Sequence, residues 1–478
     1  MISSFVICLL LFVAVGLSSA FKARKTSQDY YLASRSVAPW LVGLSAVATN
    51  NSGYMFIGAI GYTYVTGLAS IWLMLGWISG DFMASLYVHH RLRDAAARSN
   101  ASSYAGILSN WWGVDKESSS HYTQLRRLAA VITLMFLLTY ASAQLLAGSK
   151  ALSVLFGWPI WVGSVTGAIM VAAYCFAGGI RASIWTDAAQ SIVMMVAMAL
   201  LLFVAIDTLG GLSTVRDNLN AIPGFMTWYP EALPLPGIVG GILFAASWLF
   251  AGLSVIGQPH IMIRFVTLAD PRKMLTARVY YYFWFTAFYA MAIGVGMLAR
   301  LYLDNPASFD EELALPMMAQ QLLSPAMAGL VLAGIFAATM STADSLILSC
   351  SSALSNDLLP RRFESTTIIK LSTLGITLLA LLLTFSNQQS VFALVIMAWS
   401  GLASAFAPLL IILCMGKNPT EKQAIIMVLT GLATAILWRW LGLHNAVYEG
   451  MPGILSGLLI YALSERLGSN TALTVPER

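Results

Sequence analysis

Apolar stretches of about 20 residues recur along the whole sequence, and this pattern constrains the fold more than any other feature. A stretch of that length can cross a lipid bilayer as a helix. Only 10% of the residues are charged, against about 25% in soluble domains. The sequence therefore predicts an all-α polytopic membrane protein and excludes a water-soluble enzyme. The thirteen predicted transmembrane helices lie near residues 1–21, 39–66, 68–90, 126–150, 159–177, 183–207, 235–262, 276–300, 325–354, 366–385, 389–415, 422–442 and 447–464.

The distribution of basic residues predicts the orientation of these helices. Of the 26 Lys and Arg residues, 22 fall on the side reached after odd-numbered spans. Basic residues concentrate on the cytoplasmic side of membrane proteins, so we expect the N-terminus outside and the C-terminus in the cytoplasm, in the cell (inner) membrane. Three basic residues follow the first apolar run, which favours a retained helix over a cleaved signal peptide. They are Lys22, Arg24 and Lys25.

The connections between spans limit the classes of partner. The longest, near 91–125, 208–234 and 301–324, have 35 residues or fewer, so no soluble domain is expected between spans. The phosphate-binding pattern GxxxxGK[ST] is absent from the sequence, which argues against ATP as the energy source. Because the positive charges follow the membrane topology, they do not indicate nucleic-acid binding. The predicted partners are membrane lipid and a small-molecule solute.

Two predicted spans are interrupted at corresponding places. The second contains the polar segment 44–53, and the seventh contains Gly252, Gly257 and Pro259. Interrupted spans in two halves of a membrane protein are typical of secondary transporters built from inverted repeats. The two sites are five spans apart, and an odd number places the second repeat in the opposite orientation. The alternative interpretation is that these residues only permit close helix packing.

Three aspartates fall inside apolar stretches, where an ionisable group costs at least about 2.5–3.5 kcal/mol and indicates a functional site. Asp344 lies in the run 326–350, which carries no other charge. Asp187 lies at a similar predicted depth, so the two side chains could meet, although Asp187 could instead be interfacial. Asp81 is interpreted as a structural polar contact.

A hydroxyl face accompanies Asp344. Ala338, Ser341, Thr342 and Ser345 follow the i, i+3, i+4, i+7 spacing of one helix face. Hydroxyl, carboxylate and carbonyl oxygens are hard donors that suit an alkali-metal cation. The alternative is ordinary hydrogen bonding between membrane helices.

Six ordered motifs give the sequence a family resemblance over nearly its full length. They are Asp29–Ser36, Leu44–Gly53, Gly178–Asp187, Gly257–Phe265, Met340–Ser345 and Ala398–Pro408. Through them the chain resembles the sodium:solute symporter family, most closely its bacterial sodium/proline symporters. The resemblance implies a core of two inverted five-helix repeats over 39–415, an extra N-terminal helix and loop in 1–38, and two extra helices and a short tail in 416–478.

The resemblance also implies positions for the sodium ions. One site would use the carbonyls of Ala48, Asn51 and Ala338 and the hydroxyls of Ser341 and Thr342. Some family members hold a second sodium ion. The matching residues here are Asp187, Ser341, Asp344 and Ser345.

The solute would lie between the two interrupted helices. The residues expected to contact it are Asn50, Ser52, Tyr140, Trp248 and Ser254. Arg35 matches an arginine of the family that matters for coupling.

Two departures from the family pattern affect the substrate assignment. Proline symporters have an aspartate at the position of Asn50, and two aromatic residues at the positions of Ala251 and Val255. Trp248, nearly one turn earlier, is a candidate substitute for one of these aromatics. The predicted function is sodium-coupled import of a small polar solute, an amino acid or organic acid, with proline as the nearest example. Proton coupling and a receptor that binds solute without concentrating it remain as alternatives.

Overall fold

The computed structural model describes residues 1–22, 24, 26–113, 122–230, 233, 235, 237–303, 308–360, 365–386 and 390–472. These residues are overwhelmingly helical. The α-helices, numbered α1 to α18 in chain order, are Ile2–Ser18, Ser27–Leu32, Pro39–Gly53, Ile60–Thr66, Ile71–Ser99, Tyr104–Ser109, Thr123–Phe156, Ile160–Thr208, Leu212–Asn220, Gly237–Leu253, Pro259–Val266, Met274–Tyr302, Ala314–Leu322, Pro325–Ser352, Thr366–Ser386, Val391–Cys414, Glu421–Trp440 and Gly450–Ala472.

The helices confirm the predicted all-α membrane fold. Nine helical stretches in the described part of the chain are long and apolar enough to cross a membrane. Two of them, Pro39–Ser99 and Ile160–Thr208, each contain two predicted spans. The first and last predicted spans correspond to α1 and α18. Every predicted span therefore falls on helix.

The packing places α14 and α16 at the centre of the molecule. Most residues of both helices are buried. Large apolar side chains on the outer helices are exposed, among them Ile7, Phe283 and Trp440. Such an outer surface suits contact with lipid.

The two interrupted spans are broken at the positions that the sequence indicates. Ser52 at the end of α3 has φ 47° and ψ −178°, and a wide π-type turn over Tyr54–Ala59 connects it to α4. Between α10 and α11, a 3₁₀ turn over Ser254–Gly257 leads into Gln258, whose backbone is extended. Pro259 then begins α11, because its fixed φ suits the first position of a helix. Both breaks leave backbone groups without helical partners, as a binding site requires.

Gly179 marks a third break, in the middle of α8. Its φ of 56° and ψ of −142° lie in a region that is essentially restricted to glycine. A Cβ atom here would also lie 2.4 Å from the Tyr30 carbonyl oxygen. The glycine thus allows the helix to turn sharply against the segment before α3.

The structure adds features that hydropathy does not predict. In the described part of the chain, the predicted connections contain four short helices: α2, α6, α9 and α13. Arg93, Arg181 and Arg264, which the basic-residue count assigns to the cytoplasmic side, are buried in the protein. Five other residues in that count lie outside the described residues: Lys25, Lys116, Arg361, Arg362 and Arg478.

Candidate functional site

The break in α3 faces the hydroxyl groups of α14. The Ser341 hydroxyl donates to the Ala48 carbonyl at 3.2 Å and to the Ala338 carbonyl at 3.1 Å. The neighbouring Thr342 hydroxyl donates to the Thr49 carbonyl at 2.9 Å. These side chains are fully buried. We name Ala48, Asn51, Ala338, Ser341 and Thr342, the residues expected at the first sodium site, the first sodium set. Hydroxyl and carbonyl oxygens of this set converge from two helices, and the Thr49 carbonyl joins them.

Asn51, the fifth residue of the first sodium set, makes local contacts. Its amide nitrogen donates to the Val47 carbonyl at 2.8 Å, and its carbonyl accepts from the Tyr54 amide. Among the described residues it forms no hydrogen bond with Ser341 or Thr342. Its side-chain oxygen is buried without a partner.

The second sodium set comprises Asp187, Ser341, Asp344 and Ser345. All of these except Ser341 contact the guanidinium of Arg264. Asp187 lies 3.0 Å and Asp344 3.6 Å from its Nη2 atom. Nη2 also donates to the hydroxyls of Ser183, at 2.6 Å, and Ser345. Two carboxylates share one guanidinium, so in their ionised forms the group carries one negative charge. We name Asp187, Asp344 and Arg264 the shared-arginine cluster.

Hydroxyl groups connect the shared-arginine cluster to the first sodium set. The Ser345 hydroxyl donates to Asp344 at 2.9 Å and to the Ser341 carbonyl at 2.5 Å. Arg264 Nε donates to the Thr49 hydroxyl at 2.9 Å, and Thr49 also supplies the carbonyl that Thr342 contacts. Ser341 therefore contacts both sets: its hydroxyl contacts the carbonyls of the first set, and its carbonyl contacts Ser345 of the second.

Arg264 is the main residue of this region that sequence reasoning missed. It lies within the Gly257–Phe265 motif, but the predicted span 235–262 ends before it, so the sequence places it in a connection. Helix α11 continues to Val266, so the arginine is carried into the core, where it is 1% exposed. A signal was present: two buried aspartates require a cationic partner.

Part of the predicted solute set meets at the break in α3. Tyr140 donates to the Ser52 hydroxyl at 3.2 Å, and its ring contacts the His260 ring edge-on at 5.5 Å. Gln144 accepts from the Gly53 amide at 2.8 Å. The unwound backbone of α3 is therefore bordered by polar side chains of α7 and α11.

Two other predicted solute residues belong to the second interrupted helix: Trp248 lies in α10, and Ser254 begins the turn that follows it. The Ser254 hydroxyl accepts from the Tyr448 hydroxyl at 2.9 Å. Trp248 packs near Trp77, whose ring lies 5.2 Å from that of Trp399. Thus Trp248 and Ser254 belong to an aromatic region that is capped by the connection before α18.

Asn50 contacts a carboxylate that sequence analysis interpreted as structural. Its amide nitrogen donates to Asp81 at 3.1 Å and also to the Tyr281 hydroxyl. Tyr281 and Tyr282 donate to the same carboxylate at 2.6 and 2.7 Å. Asn50 therefore faces α5 and α12.

Several of the buried side-chain atoms that lack a hydrogen-bond partner among the described residues lie around the two breaks. Burying such a group unpaired costs about 1–3 kcal/mol, so unpaired atoms beside broken helices suit a site that binds a polar ligand. The atoms are Asn50 Oδ1, Asn51 Oδ1, Gln144 Nε2, Gln258 Oε1 and both ring nitrogens of His260.

Arg35 lies in the segment directly before α3, on the predicted cytoplasmic side. Its guanidinium donates to the Ala96 carbonyl at 2.6 Å. It has φ 53°, which an ordinary residue adopts only where the surroundings hold it. Its contact with the end of α5 makes it a positioning element rather than an ion ligand.

Asp29 joins two of the family motifs next to Arg35. Burial opposes its ionised form, but the Ser34 hydroxyl, the Arg24 amide and the Arg181 guanidinium together hold its pKa below the ordinary value. Arg181 lies 2.6 Å from its carboxylate. The first and third motifs thus stabilise one another at the kink in α8.

Two cavities lie on opposite sides of the broken helices. One, of about 310 Å³, is lined by residues that include Trp248, Tyr448 and the ion pair of Arg439 and Glu449. The other, of about 730 Å³, lies at the predicted cytoplasmic end and includes Asp357. Cavities on both sides of a central site suit a protein that opens to each side in turn.

The all-α membrane architecture with two broken helices is the inverted-repeat fold that known sodium-coupled symporters have. A solved structure of a Na⁺-coupled sialic acid symporter in a substrate-bound outward-open state superposes with a TM-score of 0.81, at 17% identity, and covers 97% of both chains. Mhp1, a nucleobase-cation-symport-1 family transporter, superposes with a TM-score of 0.59 at 15% identity, covering 92% of this chain and 95% of its own.

The chain belongs to the sodium:solute symporter family. The family model matches residues 30–431. The high-affinity proline transporter PutP of Bacillus subtilis (strain 168) is 30% identical over 455 residues, 92% of each chain. The sodium/proline symporter of Escherichia coli (strain K12) is 29% identical, covering 96% of this chain and 91% of its own. The protein is therefore a multi-pass membrane protein whose relatives are transporters rather than enzymes.

Proposed function

We propose that this protein imports a small polar solute together with sodium by alternating access, with proline as the first solute to test. Family membership and the proline transporters among its relatives support this assignment. Proline is a compact zwitterion, and the unpaired amide and imidazole groups around the two breaks offer both donors and acceptors to such a solute. The solute would contact Ser52 and Tyr140, with Asn50, Ser254 and Trp248 bordering it.

The coupling ion would bind where Ser341 and Thr342 meet the break in α3. The contacts of these two hydroxyls with the Ala48, Ala338 and Thr49 carbonyls are the observation that carries the proposal. A bound sodium ion would be coordinated by these carbonyl oxygens in place of the hydrogen bonds that they now accept from the two hydroxyls. Because α3 and α14 both contribute, binding the ion would hold the two helices together and link solute binding to closure.

The shared-arginine cluster would balance the charge of this sodium ion. The first set contains no carboxylate, whereas the cluster next to it, connected through Ser345, would carry one negative charge with both aspartates ionised. Asp187 and Asp344 also each keep one buried oxygen without a partner. A second sodium ion at Asp187, Ser341, Asp344 and Ser345 therefore remains a proposal, and it would have to share these oxygens with Arg264.

Residues 39–415 would form the transporting core, with 1–38 and 416–478 as accessory segments. The proposed orientation has the N-terminus outside and the C-terminus in the cytoplasm. Arg35 would act on coupling through the position of the segment before α3. The energy would come from the ion gradient, without ATP.

Uptake of labelled proline into proteoliposomes tests the function directly. Sodium and proton gradients are imposed separately, at equal ionic strength with choline as the substitute cation. We expect accumulation with an inward sodium gradient alone. Accumulation with a proton gradient alone would identify a proton-coupled symporter. Sodium-dependent binding without accumulation would identify a receptor.

A thermal-shift screen of amino acids and small organic acids should accompany the uptake assay, so that the solute is identified independently of transport. A ligand that binds only the folded state raises the unfolding temperature by mass action. A solute that stabilises the protein in sodium but not in choline would replace proline in the uptake assay. If no solute and no sodium concentration changed the unfolding temperature, the proposed function would be refuted.

A further inference from the structure

Asp81 is a buried carboxylate that the proposed sodium and solute sites do not use. It lies in α5 and is 0% exposed. Its Oδ2 atom accepts from Tyr281 at 2.6 Å and from Asn50 at 3.1 Å, and its Oδ1 atom accepts from Tyr282 at 2.7 Å. All three partners are neutral donors, and hydrogen bonds of this kind favour the ionised carboxylate.

No basic side chain in the described part of the chain lies within ion-pair distance of Asp81. The other two intramembrane aspartates share Arg264. Arg278, on the same helix as the two tyrosines, instead donates to the Ser85 carbonyl, one turn further along α5. Burying a carboxylate without a cation is costly, so Asp81 is a position where a mobile cation would be favourable.

The Asn50 side chain supplies a second, independent indication. It is 4% exposed, its nitrogen is bonded to Asp81 and Tyr281, and its oxygen Oδ1 has no partner. A carboxylate has about four lone-pair positions, and the three donors leave one of them available. Because the nitrogen faces the carboxylate, the Asn50 amide, two residues before the break at Ser52, would have to rotate to present its unpaired oxygen to an ion at Asp81.

We propose that Asp81 and Asn50 bind a second sodium ion between α3, α5 and α12. This inference rests on the proposed function, since it assigns an additional coupling-ion site to the same transporter. Carboxylate, amide and phenol oxygens are hard donors of the kind that alkali cations prefer. The group is enclosed by its own side chains, which favours a bare ion over a bulkier organic ammonium group.

This site is separate from the first sodium set in the helices that form it. The first set connects α3 with α14, whereas the Asp81 site connects α3 with α5 and α12. Asn50 and Ala48 lie two residues apart and face different neighbours. One broken helix would therefore respond to two ions, and each ion would fix a different side of it.

Equilibrium binding of ²²Na⁺ to the purified full-length protein tests the inference. Ionic strength is held constant with choline chloride. We expect Asp81→Asn to bind about one sodium ion fewer per chain than the native protein. The double variant Ser341→Ala with Thr342→Ala should also bind fewer ions than the native protein, because it loses the first sodium set.

The outcomes separate this inference from the proposed function. If the native protein binds one ion and Asp81→Asn binds the same, the Asp81 site is refuted while sodium coupling stands. If the native protein binds none, the proposed function itself fails. If Asp81→Asn alters only the pH dependence of uptake and leaves the ion count unchanged, Asp81 carries a proton and the sodium site is refuted.

Asp94→Asn is the matched control, because this aspartate lies on the same helix but is only half-buried and pairs with His90. It should keep the native ion count. Asn50→Asp guards against a variant that fails to fold, since it adds a carboxylate instead of removing one. We expect sodium to raise the unfolding temperature of Asn50→Asp by more than that of the native protein. An equal or smaller rise would count against the site.

Discussion

Ser341 and Thr342 illustrate how far a residue pattern can be interpreted without a structure. Their spacing and their position opposite an interrupted span predict oxygen donors that face α3, and the structure brings them to its carbonyls. The same pattern could not indicate that Thr342 contacts Thr49 rather than Asn51. That choice depends on how α3 unwinds at Ser52, which is a property of the packed helix and not of its sequence alone.

Replacing both hydroxyl residues with alanine should raise the sodium concentration for half-maximal uptake at least tenfold, or about 1.4 kcal/mol. The change removes two oxygen donors and little packing volume. Thr384→Ala is the control, because its hydroxyl also donates to another helix, at the Ser142 carbonyl, but lies outside the site. An unchanged sodium dependence in the double variant, with normal expression, would rule out the first sodium set.

Asp187→Asn and Asp344→Asn should be strongly non-additive. Each single variant leaves Arg264 with one carboxylate, whereas the double variant leaves a buried guanidinium with none. We expect the loss of unfolding free energy in the double variant to exceed the sum of the single losses by about 2 kcal/mol, within the range of coupled neighbours. Thermal unfolding in detergent measures it.

The same cycle, measured on sodium affinity, tests the second sodium set. If both aspartates bind one ion, the double variant should cost less affinity than the sum, because the first substitution already weakens the shared ion. Additive effects on both stability and sodium affinity would mean that neither Arg264 nor an ion connects the two carboxylates.

The sequence predicts the long helices correctly, because an apolar run that crosses the bilayer must form a helix to hydrogen-bond its own backbone N–H and C=O groups. The breaks at Ser52 and Gln258 were predicted from polar and glycine residues. The short helices α2, α6, α9 and α13 were not, because hydropathy over about 20 residues averages them with their surroundings. The extension of α11 was missed for the same reason, and with it the position of Arg264.

Gly179→Ala should destabilise the protein by about 2–3 kcal/mol, because alanine is strained at φ 56° and its Cβ would collide with the Tyr30 carbonyl. Gly157→Ala isolates the backbone contribution. Gly157 ends α7 with φ 68°, but a Cβ atom there meets nothing within 4 Å. We expect about 1 kcal/mol for the control. Equal losses in unfolding free energy would show that the close approach to Tyr30 contributes nothing.

At the scale of the whole molecule, the basic-residue distribution predicts which connections face each side. Thr227 lies in a predicted external connection and Asn418 in a predicted cytoplasmic one, and both are exposed. In intact cells, a membrane-impermeant maleimide should label Thr227→Cys but not Asn418→Cys until the cells are permeabilised. The unsubstituted chain is the control for its four native cysteines, three of which are buried. The reverse labelling pattern would overturn the orientation.

The shared-arginine cluster has an electrical consequence for the transport cycle. If both aspartates are ionised, one guanidinium between two carboxylates leaves one net negative charge inside the membrane. A bound sodium ion would cancel it, so the loaded carrier would cross nearly neutral and the unloaded carrier would return charged. Membrane voltage, worth about 2.3 kcal/mol per charge at 100 mV, would then act mainly on the return step. Transient currents after voltage jumps should therefore be present without solute and should shrink in Asp187→Asn.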